Sequence, residues 1–197
     1  MSTLIINSGC ANLASVKFAL ERLGENVLIS DKPSDILSAD RVILPGVGTV
    51  DFAMKELTDK NLVEPIKKLT CPVLGICLGM QLLFEGSSEG STSSLGIIEG
   101  VAAEFPKNTG LSVPHMGWNS LTVDKTDPLL EGVNDGDYVY FVHSFYLPMQ
   151  KSSIATANYG RTFSAVVRQD NVWGCQFHPE RSSTVGAKIL ENFVGLS

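Results

Sequence analysis

Long apolar runs are missing from this sequence, and so are blocks of like charge and closely paired cysteines. The most apolar stretch, Cys71 to Phe84, is interrupted by Pro72 and by Gly75, Gly79 and Gln81. It falls short of the roughly 20 apolar residues a membrane helix needs, so no membrane span is expected. No basic segment precedes the first apolar residues, Leu4-Ile5-Ile6, and a secretory leader is not expected either. The net charge is -6, without the basic stripe a nucleic-acid surface requires. The 4 cysteines, Cys10, Cys71, Cys77 and Cys175, lack the spacing of a zinc site. These absences point to a reduced, soluble, cytoplasmic protein with no metal. Neither a repeat nor a linker divides the chain, so residues 1–197 are expected to form one domain.

What is present is globular: 44% hydrophobic and 18% charged residues over 197 positions, enough for one sizeable core. Short apolar runs alternate with helical patterns through the first half. Strands are expected at Leu4–Ile6, Val27–Ile29, Val42–Leu44 and Val73–Ile76. Between the first two, Asn12 caps a helix carrying Leu13, Val16, Leu20 and Leu23 on its apolar face, and Gly24 stops it. A helical turn follows Pro33, one or two helices fill Val50 to Leu69, and another starts near Gly79. This order implies βαβ units and a parallel sheet. The second half reads as strands at Ile97-Ile98, Val101–Phe105, Leu121–Val123, Val139–Val142, Ile154–Ala157, Ala165–Val167 and Val172–Phe177. Hairpin turns are expected at Asp135-Gly136 and Gln169-Asp170-Asn171, and a last helix spans Ser183 to Val194. The serine- and glycine-rich tract Gly86–Ser94 reads as a mobile loop placed to wall a site.

Chemistry concentrates at Leu74-Gly75-Ile76-Cys77-Leu78-Gly79-Met80-Gln81. A buried strand ends at a cysteine flanked by glycines at i−2 and i+2, and a helix begins: a nucleophile elbow in cysteine form. The turn presents Cys77 at the carboxyl end of the sheet, where open α/β sheets bind ligands. A helix N-terminus there favours thiolate and aims N–H groups at a developing oxyanion. Core packing would account for Cys10 and Cys71, but it gives no reason for the glycines around Cys77. A base is available in Gln176-Phe177-His178-Pro179-Glu180, where Pro179 holds the chain extended and sets His178 and Glu180 on one side. Nucleophile, base and orienting carboxylate complete the logic of covalent catalysis. Pro45-Gly46-Val47-Gly48, at a strand's carboxyl end, offers bare N–H groups suited to an oxyanion hole. His115 reads as structural or interfacial, and His143, with no carboxylate nearby in sequence, as supporting.

These segments resemble the class I, triad-type glutamine amidotransferases. Pro45-Gly46-Val47-Gly48, Pro114-His115-Met116-Gly117-Trp118-Asn119 and Tyr140-Phe141-Val142-His143-Ser144 are more narrowly similar to the glutaminase subunits of imidazole glycerol phosphate synthase. The resemblance covers essentially the whole chain. It implies a flavodoxin-like α/β fold: a central, mostly parallel sheet flanked by helices, with an added antiparallel sheet. It also implies hydrolysis of L-glutamine without any cofactor, and transfer of ammonia to a (β/α)8-barrel cyclase partner in a heterodimer that makes imidazole glycerol phosphate and AICAR for histidine biosynthesis. Cys77, His178 and Glu180 match the family's triad, and Gly46, Val47 and Leu78 its oxyanion hole. Gly48, Gln81, Glu89, His143, Ser144 and Phe145 match its glutamine site, with Glu89 toward the α-ammonium. Asn12, Trp118, Tyr140 and Arg181 fall where the family meets its partner. The resemblance departs at Asn7-Ser8-Gly9-Cys10-Ala11-Asn12, where many members carry Asp-Tyr-Gly-x-Gly-Asn, at Phe145 for tyrosine and at Cys175 for valine.

Rival readings are a glutaminase serving another synthase, such as a sugar amidotransferase, a catalytically dead regulatory subunit, and a cysteine peptidase. The intact Cys77, His178 and Glu180 count against a dead subunit, and Gln81 and Glu89 suit a small free amino acid rather than a peptide. A glutaminase running alone would waste glutamine, so the isolated chain is expected to be nearly inactive, its Pro45–Gly48 segment misoriented until the partner's ligand binds.

Overall fold

A computed structural model of the chain describes residues 2–9, 12–90, 92–106 and 110–196; Cys10 lies outside the described residues. The first half runs β1 (Thr3–Ile6), α1 (Leu13–Glu21), β2 (Val27–Ser30), α2 (Pro33–Leu37), β3 (Arg41–Gly46), α3 (Val50–Asp59), α4 (Val63–Lys67), β4 (Val73–Cys77) and α5 (Leu78–Leu82). The second half is mostly strand: β5 (Gly86–Ser87), β6 (Val101–Glu104), β7 (His115–Ser120), β8 (Thr122–Val123), β9 (Tyr138–His143), β10 (Phe145–Tyr146), β11 (Ser153–Asn158), β12 (Thr162–Gln169), β13 (Val172–Cys175) and the closing helix α6 (Ser183–Gly195).

The main sheet has the order β2-β1-β3-β4-β13-β12-β11-β8. From β2 to β13 neighbours run parallel; β12, β11 and β8 continue the sheet antiparallel. A small sheet β10-β6-β5 and the antiparallel ribbon β7-β9 lie apart from it. Strands β1, β3 and β4 are buried along their whole length, which is why they read as unbroken apolar runs. Alternation within them divides the interior in two. Ile5, Ile43 and Leu74 join the core under α1 and α6, while Leu4, Ile6, Val42 and Leu44 join the core under α3, α4 and α5.

The helix ends follow local chemistry. Asn12 accepts from Ser15 N at 3.3 Å to start α1, and Gly24, at φ +83°, ends the turn beyond it. Thr49 caps α3, whose Val50, Ala53, Met54 and Leu57 face inward at helical spacing.

Four expectations change. Ile97-Ile98 is not a strand: Ile98 is buried, but in a bend whose amides donate to Leu83 O, so burial here needs no ladder. Asp135-Gly136 does lie in a tight turn, with Asp137 N donating to Asn134 O, yet it joins no hairpin, because β8 pairs with β11 and β9 with β7. Strand β7 replaces a segment not expected to be extended. The Gly86–Ser94 tract is tied down at several points: β5 pairs with β6, Glu89 N donates to Ser87 Oγ, and Thr92 N donates to Asp51 Oδ1. The Gln169–Asn171 hairpin turn forms as read, with Asp170 at φ 53°.

Candidate active site

The turn from β4 into α5 puts Cys77 at φ 55°, ψ −112°, a conformation that costs a non-glycine residue on the order of 1–3 kcal/mol. Three glycines make the turn possible. A Cβ on Gly75 would stand 2.7 Å from Gly79 O, and one on Gly46 would stand 2.9 Å from Gly79 N. One on Gly79 would run into the Leu44 carbonyl, 2.8 Å from its carbon. The glycines thus let α5 rest directly on the backbones of β3 and β4. Register places Gly46 beside Cys77 on one side and Cys175 beside Ile76 on the other, so the ends of β3, β4 and β13 open on one place.

His178 follows β13 and enters a single 3-10 turn, Pro179–Arg181. Its Nδ1 meets Glu180 Oε1 at 2.8 Å, so the two side chains share a side as their spacing suggested. The backbone is clamped from β9: His178 N donates to Tyr140 O at 3.0 Å, Tyr140 N donates to Ser182 Oγ at 2.9 Å, and Ser182 Oγ donates to His178 O at 2.7 Å. Ser182 was missed in the sequence, where nothing distinguishes it from its neighbour Ser183. Burial would lower the His178 pKa, but the Cys77 and Glu180 side chains outweigh burial and raise it. His178 Nε2 is buried with no hydrogen-bond partner. The Cys77 thiol beside it donates instead to Val142 O at 3.7 Å, and Gln176 Nε2 lies 4.0 Å from the sulfur.

A cavity of about 250 Å³ opens over Cys77. Val47, Gly48, Leu78, Gln81, Glu89, His143, Ser144, Phe145 and His178 line it with Cys77, along with Pro114 and Val142. Gly46 and Glu180 stand just behind, in a narrow cleft shared with Asn12, Val47 and His178. Gln81 is buried, its Nε2 donating to Phe145 O at 3.1 Å and to Gln176 Oε1 at 3.0 Å. Glu89 Oε2 accepts from Val50 N at 3.0 Å, so this carboxylate caps α3 as well as facing the cavity. His143 is buried, and desolvation drives its pKa down to about 3; at neutral pH it is uncharged.

Trp118, Tyr140 and Arg181 cluster outside the cavity, on the outer face of the β7-β9 ribbon. Trp118 is 52% exposed, its ring 6.0 Å from that of Tyr140, over which the Arg181 guanidinium lies at 5.7 Å. Met116 and Tyr138 extend this apolar face, whereas His115 points inward and is buried. Cys175 is fully buried, and desolvation pushes its thiol pKa up; Cys71 is half-buried with the same direction. Among the described residues no cluster of His, Cys, Asp or Glu could hold a metal ion, and no helix is long and apolar enough to cross a membrane.

Comparison with known proteins agrees with this geometry. The glutamine amidotransferase class-I family matches residues 4–196. The imidazole glycerol phosphate synthase subunit HisH of Colwellia psychrerythraea is 49% identical over 208 residues, covering 98% of this chain and 92% of its own. The corresponding proteins of Haemophilus influenzae and Yersinia pestis are 50% and 47% identical, over 96% and 98% of this chain and 95% and 99% of theirs. Among solved structures, a glutamine amidotransferase superposes with TM-score 0.75 at 20% identity, covering 98% of this chain and 97% of that one. The glutaminase domain of Trypanosoma brucei CTPS gives 0.69 at 13%, over 100% and 95%. At those identities the structures speak for the fold alone.

Proposed function

The chain belongs to the class-I glutamine amidotransferase family, and from that premise we propose that it is the glutaminase subunit of imidazole glycerol phosphate synthase. It hydrolyses L-glutamine to glutamate and ammonia, and the ammonia passes to a cyclase subunit. The relatives named as subunits of that synthase match it along nearly their full length, which supports the same assembly here. We read residues 1–197 as one glutaminase domain acting in the cytoplasm.

One observation carries the chemistry: a cysteine on a strained elbow stands beside a histidine whose Nδ1 is held by Glu180 and whose Nε2 is open. His178 Nε2 takes the Cys77 thiol proton, and the thiolate adds to the amide carbon of glutamine. Glu180 keeps the imidazole oriented and stabilises its charged form. The Leu78 N–H and an N–H of the Gly46–Val47 segment receive the oxyanion, an arrangement in which losing one donor costs about 10²–10³ in rate. The imidazolium then protonates the departing ammonia, leaving a γ-glutamyl thioester on Cys77. Water deprotonated by His178 hydrolyses that thioester to glutamate. Gln81, Glu89 and the Ser144-Phe145 strand edge receive the amino-acid end, Glu89 offering its carboxylate to the α-ammonium.

The test is glutamate release from glutamine by the chain alone and by its complex with the cyclase subunit and that subunit's nucleotide substrate. We expect strong stimulation in the complex and its loss in Cys77→Ala. Release that persists in Cys77→Ala would overturn the mechanism; release indifferent to the cyclase would overturn the partner.

A further inference from the structure

Two buried imidazoles lie behind the cavity wall, and only one of them touches the cavity. His143 Nδ1 is 2.7 Å from the Phe145 carbonyl oxygen. A carbonyl can only accept, so His143 carries its proton on Nδ1 and its Nε2 must accept. Its partner is His115 Nδ1, at 2.9 Å, which therefore donates. His115 Nε2 is left as acceptor, with Asn119 Nδ2 3.4 Å away and itself anchored to Asn158 O at 2.8 Å. Three contacts, each with one consistent direction, define a single proton arrangement. The His115 ring is stacked between Tyr159 and Phe141, with centroids 4.0 and 4.9 Å away, which fixes its plane. Both imidazoles are uncharged at neutral pH because burial lowers their pKa values.

The end of this chain is the Phe145 carbonyl, and that oxygen has a second donor, Gln81 Nε2. Gln81 in turn binds Gln176, whose amide reaches toward the Cys77 sulfur. Phe145 and Gln81 both line the cavity. The orientation of one carbonyl thus sets where the Gln81 amide stands. Burying two uncharged imidazoles is costly unless each hydrogen bond is made, and here one end of the chain is the wall of the site.

We propose that His115 is a positioning residue for substrate: by donating to His143 it fixes the tautomer that holds the Phe145 carbonyl, and through it the Gln81 amide in the glutamine site. This rests on reading the cavity as the glutamine site. Hydrogen-bond partners that fix the tautomer of a ligating histidine do comparable work at metal centres. The prediction separates binding from chemistry, since Cys77 and His178 are not members of the His115 chain.

The experiment is steady-state glutaminase kinetics on the complex with the cyclase subunit. His115→Phe keeps the stacked ring and removes the donor, and we expect KM for glutamine to rise about tenfold, the scale of one positioned hydrogen bond, with kcat within about threefold. His115→Asn, whose amide nitrogen can take the place of Nδ1, should recover most of that KM. A merely structural role would lower thermal stability and the active fraction, and so kcat, while leaving KM alone. KM unchanged in His115→Phe, or no recovery in His115→Asn, overturns the proposal. Imidazole ¹⁵N spectra of the wild-type protein, which has only 3 histidines, give an independent check: His143 should be the Nδ1–H tautomer, and the Nε2–H tautomer would overturn it even if His115→Phe failed to fold. If the wild type showed no Cys77-dependent glutamine hydrolysis, the reading of the cavity would fall and this inference with it. Hydrolysis intact with KM indifferent to His115 would sink this inference alone.

Discussion

Gly79→Ala is the smallest change that tests how the elbow is built. The added Cβ would be driven into the Leu44 carbonyl, and both atoms belong to backbone, so no side chain can swing aside. Overpacking by one carbon costs about 1–3 kcal/mol, and a rigid neighbour puts this case at the upper end. In a domain of this size 1 kcal/mol lowers Tm by about 2–4 °C, so the expected fall is about 6–12 °C. The strain is relieved only if α5 lifts from β3, which carries Cys77 and the Leu78 N–H with it. A displacement near 1 Å at reacting groups costs about 10²-fold in rate, so kcat/KM for glutamine should fall about that much in the complex. Gly195→Ala, at the open end of α6 with nothing within 4 Å, is the matched control; it should be neutral or slightly stabilising, as alanine is the better helix former. The assays are thermal melting and glutamate release. If Gly79→Ala melted within about 2 °C of the wild type and kept more than a third of its activity, close contact between α5 and β3 would not be what fixes the nucleophile.

Glu180→Gln removes one of the influences that raise the His178 pKa, so the limb of the glutaminase pH profile that reports His178 should move to lower pH and the rate should fall by about 10²-fold or more; an unmoved limb would mean that Glu180 does not tune the base. Burial depresses His115 and His143 to about 4 and about 3, so their contribution to stability is complete above the unfolded value of 6.5 and is lost as pH falls toward those values. His178 is shifted up, and its contribution is complete below 6.5 and is lost as pH rises through its folded value. Urea titrations should therefore give greatest stability near neutrality, with a loss on the order of 3 kcal/mol by pH 5 at about 1.4 kcal/mol per proton and pH unit; a flat curve between pH 5 and 7 would contradict the assignment. Trp118→Ala should weaken binding of the cyclase subunit at least about tenfold, as for an aromatic anchor, and calorimetric titration showing wild-type affinity would remove this face from the interface.

The grouping of Cys77, His178 and Glu180 was legible because each of its parts is local. A glycine two residues before and after Cys77 marks a backbone approach that no side chain could survive, and His178 and Glu180 come from one short segment with Pro179 between them. The parallel half of the sheet was legible for a related reason: β1, β3 and β4 are covered on both faces, and each reads as an uninterrupted apolar run. Strand β7 was hidden because Gly117 and His115 weaken its local preference and its extension depends on pairing with β9, from Ser120 with Tyr138 to His115 with His143, well beyond any local window. Ile97-Ile98 misled in the opposite sense, since burial of an apolar pair looks the same in a strand and in a bend. The second donor to the Phe145 carbonyl and the bonds from Tyr140 to His178 and Ser182 join groups far apart in sequence. No spacing rule reports them.

Strand β9 shows why the face proposed for the partner and the proposed catalytic groups cannot be treated as separate regions. Alternation sends Tyr140 outward to Trp118 and Arg181, and Phe141 and His143 inward. Yet the Tyr140 backbone binds His178 and Ser182, and the Val142 carbonyl, two residues on, accepts from the Cys77 thiol. A change in the position of β9 would therefore act on both the base and the nucleophile before it reached the substrate. A docked protein can bias such a change only by its difference in affinity for the two positions. Substitutions on this face are then not equivalent as probes. Replacing Tyr140 alters packing on the very residue whose main chain carries the clamp, so a loss of activity there has two causes. Trp118 lies on β7, one strand removed, with its side chain exposed and none of its backbone bonded to His178 or Ser182. Its truncation reports docking with the clamp left in place, and comparing the two separates affinity for the partner from control of the base.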